Sequence, residues 1–316
     1  MKIEEMKVGI LGTGFGATHA KIYSKIIGAD SITVFGRNEY ELKKIENELH
    51  VNVTTNIDDI FSNKDINLVD VCLPITLHKK YVMDALKNGK DVFCETPITL
   101  TLEDAIDIKE AAKKYGRKVF VDLFIKFEPA YEYIYSTIQN NSLGKLKALH
   151  LRRKTPPIWG SLELATITTN LMIHEFDFVT WLLGSPDKIM ADGVNSKEGQ
   201  SNVSAILGYD DTIVEVQASS MLPDCYPFTT AYEALFENGT VEYFEKGYKN
   251  REERYLHLFT NKGEEELDLS KKNCFEESIK HVLNCCEKNI PTKLSIDDAI
   301  ASLKIALQIK NIILNQ

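Results

Sequence analysis

The chain is 316 residues long, beyond the size at which single hydrophobic cores usually stop growing, so two domains are expected. Hydrophobic residues make up 44% and charged residues 26%, and a formal net charge of −9 without a long basic stretch argues against nucleic acid or an anionic membrane as the main partner. Met1–Met6 lacks a signal-peptide pattern and no apolar run is long enough to span a bilayer. Six cysteines without CxxC spacing read as buried thiols of a reducing cytoplasm.

In chain order, the first chemically informative stretch is Lys7–Ala20. The apolar run Val8–Leu11 predicts a strand, and it feeds directly into Gly12-Thr13-Gly14-Phe15-Gly16-Ala17. Ala17, Ala20, Ile22 and Ile26 then predict a helix. Strand, glycine turn and helix form the arrangement that receives a dinucleotide. Gly12 permits the tight turn, Gly14 has no side chain to hold a pyrophosphate away, and small Ala17 lets helix and strand approach. The helix N-terminus offers unpaired N–H groups to the phosphates.

Further apolar runs at Ile32–Phe35, Leu68–Leu73, Val92–Cys94 and Val119–Val121 read as buried parallel strands. Helical patterns lie near residues 17–27, 39–49, 77–87 and 102–115, the last opened by Thr101 and Asp104 as a capping-box variant. Residues 1–122 thus predict a Rossmann domain, a doubly wound parallel sheet with its ligand at the carboxyl ends of the strands. NAD-preferring sites of this kind place an acid at the end of the second strand. Gly36 and Arg37 stand there instead, a gap and a guanidinium suited to a 2′-phosphate, which predicts NADP(H) over NAD(H).

After residue 122 the pattern changes. Leu146–Arg152, Lys188–Val194, Val203–Tyr209, Ile213–Ser219, Ala234–Phe236, Thr240–Phe244 and Tyr255–Phe259 predict strands of an antiparallel sheet, with turns at Asp210-Asp211 and Asn238-Gly239. A helix over Asn170–Leu183 interrupts them, and helices over Phe275–Lys288 and Ile296–Leu314 close the chain. Residues 123–316 are therefore expected to form the second, α/β domain, with the last helix able to pack back on the first, and a cleft between the two domains is the expected ligand site. Asn170 and His174, four apart, would share one helix face. Arg152 and Lys154 share a strand face, and an anionic substrate is drawn to them if that face is the cleft. No His, Cys or acid pattern has metal-ligand spacing.

Later motifs make the reading specific. Asp70-Val71-Cys72-Leu73-Pro74 with His78, and Ala85–Val92 running on to Glu95-Thr96-Pro97, resemble the Gfo/Idh/MocA oxidoreductases. So do Phe127-Glu128-Pro129, His174-Glu175-Phe176-Asp177 with Trp181-Leu182-Leu183-Gly184, and the closing helix. The resemblance implies a Rossmann domain, an α/β domain with an open, mainly antiparallel sheet that serves substrate binding and oligomerisation, and assembly as a homodimer or homotetramer. It also implies hydride transfer at a carbinol or keto carbon of a sugar, cyclitol or derivative. Gly12, Thr13, Gly14, Phe15, Gly16, Arg37, Leu73, Pro74, His78, Glu95 and Thr96 are the expected cofactor contacts. His174, Asn170 and Thr96 are the expected catalytic residues, and Lys126, Arg152, Lys154 and His174 the expected substrate contacts.

Two departures from the family pattern stand out. Thr96 replaces the lysine of a Glu-Lys-Pro motif, and Asn170 replaces an aspartate four residues before the histidine. Lys126, Lys154, Tyr226 and Tyr232 are candidates to replace that lysine in space. The departures leave two alternatives beside a sugar or cyclitol dehydrogenase: a cofactor-binding regulatory protein with reduced or lost catalysis, and a reductase of a C=N or linear tetrapyrrole substrate.

Overall fold

The computed structural model describes residues 2–196 and 198–315. The chain divides into two compact units, residues 1–127 with 273–300, and residues 128–272 with 301–316.

The first unit alternates strand and helix as expected. β1 (Lys7–Leu11), α1 (Phe15–Ile27), β2 (Ile32–Phe35), α2 (Glu39–Leu49), β3 (Asn52–Thr54), α3 (Asp58–Phe61), β4 (Ile66–Val71), α4 (His78–Lys87), β5 (Asp91–Cys94), α5 (Leu102–Tyr115) and β6 (Val119–Val121) follow in order. The strands form one parallel sheet in the order β3-β2-β1-β4-β5-β6, which is the doubly wound Rossmann order. Helices cover both faces, so the strands are apolar without alternation: Val8, Ile10, Leu11, Leu68, Val69, Val71, Val92 and Phe93 are all fully buried. The predicted cap of α5 is present, the Thr101 hydroxyl accepting from the Asp104 amide at 3.2 Å.

The second unit is built on α6 (Pro129–Asn140), β7 (Leu146–Lys154), α7 (Ile167–Asn170), α8 (Ile173–Leu183), β8 (Lys188–Asn195), β9 (Ser201–Gly208), β10 (Ile213–Ser219), β11 (Phe228–Phe236), β12 (Gly239–Gly247), β13 (Glu252–Thr260) and β14 (Gly263–Glu266). Its eight strands run β14-β13-β12-β11-β7-β10-β9-β8. All neighbours are antiparallel except β7 and β10, which pair in parallel. The single helix predicted over Asn170–Leu183 is two: α7 stops at Asn170 and α8 restarts at Ile173, with Leu171 leaving the helical conformation at φ −122°.

A single cut after residue 122 does not describe the units. α9 (Cys274–Lys288) and the first residues of α10 (Ile296–Leu314) belong with the Rossmann unit. The reason is packing. α9 buries Ile279, Val282, Leu283 and Cys285, and Phe275 meets Phe15 and Phe124 with ring centroids 5.2 Å and 4.5 Å apart. The Val121 amide donates to the Leu294 carbonyl, and Phe120 bridges Ser295 beside β6.

Candidate active site

In the first unit the chain passes from β1 to α1 through Gly12, Thr13 and Gly14. Gly12 lies at φ +116°, where a side chain would also collide with the Cys72 carbonyl oxygen, so only glycine fits. Gly16 packs helix on strand, since a Cβ there would stand 3.0 Å from Ile10 Cγ2. Gly14 is different. It caps the 13-residue α1 without any side-chain bond, and a Cβ on it would point into open space. An uncapped helix start with an unobstructed approach fits a dinucleotide pyrophosphate.

Phe15 is 42% exposed over this turn, Thr13 is half-buried, and Leu73 Cδ2 comes within 3.6 Å of where a Gly12 Cβ would be. Pro74 is exposed beyond β4, and Glu95 and half-buried Thr96 follow β5. These residues all leave the carboxyl ends of adjacent parallel strands, the edge at which such sheets bind ligands. Replacing Gly14 by aspartate is expected to cost the fold about 1 kcal/mol. It should weaken dinucleotide binding at least about tenfold by placing a carboxylate against the phosphates. Titration of NADPH against fluorescence, beside a thermal melt, checks both.

Other expected cofactor and substrate residues land differently. Arg37 is exposed just beyond β2, as predicted, but the gap beside it is absent: a Cβ on buried Gly36 would meet Thr13 Cγ2 at 2.5 Å and the Leu42 side chain. His78 is buried, with Nδ1 3.0 Å from the Pro97 carbonyl and Nε2 2.7 Å from the Leu73 carbonyl. It ties two loops of the carboxyl edge together rather than presenting a free ring, and burial lowers its pKa despite those two carbonyls. Lys126 is no substrate contact. Fully buried, its ammonium donates to the Lys293 carbonyl at 3.0 Å and pairs with Asp298 at 2.9 Å, all within the first unit.

Sequence reasoning singled out His19 and Glu95 separately but did not gather the buried charge cluster they share. His19 of α1 is fully buried, its Nδ1 2.8 Å from Asp70 Oδ2, while Nε2 faces Glu95 Oε1 at 3.4 Å and Asp122 Oδ2 at 3.9 Å. Its ring stacks on Phe93 and stands edge-on to Phe15. Burial alone would lower the His19 pKa, but Asp70, by charge and hydrogen bond, with Glu95 and Asp122, overrides it and carries it to about 9. Burial and the neighbouring Asp122 push Glu95 up to about 8 against the pull of His19. Burial likewise takes Asp122 to about 6. His19, Cys72 and Glu95 also hold their potential ligand atoms within 4.8 Å of one another. Burial and the surrounding acids push the Cys72 thiol well up, and His19 Nδ1 is committed to Asp70, so the group has the chemistry of shared protons.

In the second unit, β7 and α8 are joined by a buried ion pair. Arg153 Nε donates to Glu175 Oε1 at 2.7 Å, and the guanidinium carbon lies 5.6 Å from the Phe228 ring. His174, next to Glu175, is half-buried. Burial, then the Arg153 charge, hold its pKa well below the usual histidine range, so its ring is neutral at neutral pH. Asn170 is exposed on α7, its Oδ1 accepting from the Thr169 hydroxyl, and the break at Leu171 removes the continuous helix face it was expected to share with His174.

Strand alternation corrects the basic cluster. Arg153 is the residue turned toward α8, so Arg152 and Lys154 occupy the opposite face of the sheet, away from His174. Arg152 there lines a shallow pocket of about 360 Å³ with His150, Gln217, Glu215 and Glu233, where it is balanced by acids. Tyr232 is buried and donates to the Ala130 carbonyl at 2.6 Å, which excludes it as a lysine substitute; Tyr226 is half-buried.

Comparison with known proteins accords with this geometry. The profile described as "Oxidoreductase family, NAD-binding Rossmann fold" matches residues 6–123, and that of the "GFO/IDH/MocA C-terminal domain" matches residues 131–242. The chain is 27% identical over 247 residues to inositol 2-dehydrogenase of Acidothermus cellulolyticus, covering 75% of this chain and 72% of that protein. UDP-N-acetylglucosamine 3-dehydrogenase from Acidithiobacillus ferrooxidans superposes with a TM-score of 0.83 at 21% identity, over 98% of each chain. An oxidoreductase from Agrobacterium radiobacter, solved with NAD+, L-tartaric acid and magnesium, gives 0.83 at 17% identity over 98% of this chain and 97% of that one. Both superpositions speak to the fold.

Proposed function

The chain belongs to the Gfo/Idh/MocA oxidoreductase family, and from that premise we propose that it is an NADP(H)-dependent oxidoreductase acting on a carbinol or keto carbon of a sugar-like or cyclitol-like molecule. The observation that carries this reading is the glycine turn: Gly12 closed to any side chain, Gly14 open, and an uncapped α1 behind them. The exposed guanidinium of Arg37 at the end of β2, where NAD-preferring sites place an acid, supports the choice of NADP(H). A relative named for an inositol supports a polyhydroxylated substrate.

The nicotinamide, when bound, supplies hydride exchange with the substrate carbon. The chain's own residues then have three tasks. The carboxyl-edge loops hold the cofactor, Thr96 offers a hydroxyl for orienting the substrate, and His174 receives the hydroxyl proton as a neutral imidazole. Without a carboxylate at residue 170, the imidazolium is not stabilised as it is in the family pattern, so the substrate must part with its proton readily. Anionic substrates lose their argument, because Arg152 and Lys154 lie on the other face of the sheet. A homodimer or homotetramer and a cytoplasmic setting belong to the same proposal. Six free cysteines support the reducing setting, and among the described residues no helix is long and apolar enough to cross a membrane.

The test is NADPH consumption and NADP+ reduction by the purified protein across sugars, cyclitols and their keto forms, with cyclic imines in the same panel. Turnover of a carbinol–keto pair, with NADPH preferred to NADH, is the expected result. Turnover confined to imines would replace the substrate class, and tight cofactor binding with no turnover anywhere would favour a regulatory protein.

A further inference from the structure

Four ionisable side chains from separate segments of the first unit meet at the end of its parallel sheet. His19 comes from α1, Asp70 from β4, Glu95 from the end of β5, and Asp122 from the end of β6. His19, Asp70 and Asp122 are fully buried, whereas the Glu95 side chain retains 19% of its exposure. His19 Nε2, Glu95 Oε1 and both Asp122 carboxyl oxygens are buried without a hydrogen bond of good geometry. Such unsatisfied atoms are costly unless something pairs with them, and a mobile proton does so.

The charge balance of the cluster is uneven. One imidazolium faces three carboxyl groups. The other titratable neighbours are the Cys72 and Cys94 thiols and the Tyr23 phenol of α1, all pushed well above their ordinary range by burial and by these same acids. They remain neutral and cannot offset a carboxylate. Ser278 of α9 adds only a hydroxyl beside Asp122, and Cys286 of the same helix, pushed up to about 12, bears on the Tyr23 side. Like charges this close in a buried volume do not all ionise together. At neutral pH the cluster therefore keeps a carboxyl proton in addition to the imidazolium.

We propose that His19, Glu95 and Asp122, with Asp70 holding the His19 ring, form a proton store coupled to the charge of the bound nicotinamide, holding one more proton when the ring is reduced and neutral than when it is oxidised and positive. The proposal rests on the nicotinamide-dependent reading above. Glu95 is the outlet, since it alone of the four is partly exposed, and it immediately precedes Thr96 at the carboxyl edge that also carries the glycine turn. A positive ring held at that edge would favour ionised carboxylates within its reach, and burial would leave the interaction little screened by salt.

The proton balance closes over a full cycle. Oxidation of a carbinol sends two electrons and one hydrogen to the ring as hydride, and frees the hydroxyl proton as the C=O bond forms. The ring loses its positive charge in the same step. While the hydroxyl proton taken by His174 returns to solvent, the store takes up one proton from solvent through Glu95. Exchange of reduced for oxidised cofactor then releases that proton to solvent. Reduction of a ketone runs the same cycle backwards. Glu95 near 8 and His19 near 9 place the exchange across neutral and mildly alkaline pH.

Calorimetric titration of the purified protein with NADP+ and with NADPH, each in two buffers of different ionisation enthalpy near pH 7.5, counts protons exchanged on binding. The 2′-phosphate is common to both forms and cancels. NADP+ is expected to release about half to one proton more than NADPH, and its affinity to rise by up to about tenfold per pH unit while that of NADPH stays flatter. Asp122→Asn and Glu95→Gln should each cut the difference by about half or more. Near-UV circular dichroism confirms that each is folded, and the wild-type difference stands alone if one is not. Equal proton counts for the two forms overturn the proton store while leaving the oxidoreductase reading intact. Failure to bind either form overturns both.

Discussion

Replacing Arg153 by methionine is expected to destabilise the second unit by about 3–5 kcal/mol at neutral pH, the usual cost of stranding one partner of a buried ion pair. Arg153 is 5% exposed and Glu175 1%, with 2.7 Å between Nε and Oε1. Burial presses the Glu175 carboxyl toward its neutral form, and the guanidinium is what opposes it. Without Arg153 the folded-state pKa of Glu175 rises further above its unfolded value. The folded state then binds a proton that the unfolded chain has lost, so stability falls as pH climbs through that interval. The deficit of the variant should therefore be small near pH 4.5 and grow toward pH 8. Arg153→Met combined with Glu175→Leu should recover most of the loss, because an apolar pair of similar volume needs no desolvation. Denaturant melts at several pH values measure this, following the transition that belongs to the second unit. A single variant within about 1 kcal/mol of wild type at pH 8 would mean that the pair bears little load.

The parts of the fold that were legible from residues alone are those where burial is complete on both sides. β6 is wholly apolar, and β1, β2 and β5 are apolar apart from Lys7, Thr33 and Asp91, a composition that a parallel sheet between two helical layers imposes. β3 and β14 were missed for the opposite reason. Asn52–Thr54 is three residues with none fully buried, and Gly263–Glu266 is wholly exposed and acidic, so neither carries a hydrophobic period. The α8 pattern was misjudged at its start, because Leu171 and Met172 are apolar and buried like helix residues although the chain leaves the helix there. The glycine turn was legible because Gly12 and Gly16 answer local steric demands and Gly14 leaves the helix start open. The His19 cluster was not, since its members are gathered by the order of the sheet. A signal existed: Asp70 inside an apolar run, and Glu95 and Asp122 directly after two others, are charges at the ends of strands bound to lie side by side.

Removing the imidazole with His174→Ala is expected to lower kcat/KM by about a hundredfold to ten-thousandfold, the ordinary contribution of a positioned acid or base. Dinucleotide affinity should change less than about twofold, because the glycine turn and its neighbours belong to the other unit. The neutral state of His174 gives the result a pH signature. Burial and the Arg153 charge hold its pKa well below the usual range, so no acid limb from this residue should appear near pH 6.5 in the wild-type profile. As an acceptor it must become imidazolium during alcohol oxidation, and Arg153 opposes that charge. His174→Gln should keep part of the substrate affinity through its amide, yet lose the rate, which separates proton transfer from positioning. Asn170→Asp adds a further discriminant. If the break after α7 keeps residue 170 from supporting the ring, a carboxylate there will leave the rate and its pH profile unchanged. If the chain closes that break in the working enzyme, the added charge will stabilise the imidazolium and raise the rate of oxidation. Full turnover by His174→Ala would move the proton chemistry to another residue, and Glu95, the partly exposed member of the buried cluster, would be the one to replace next.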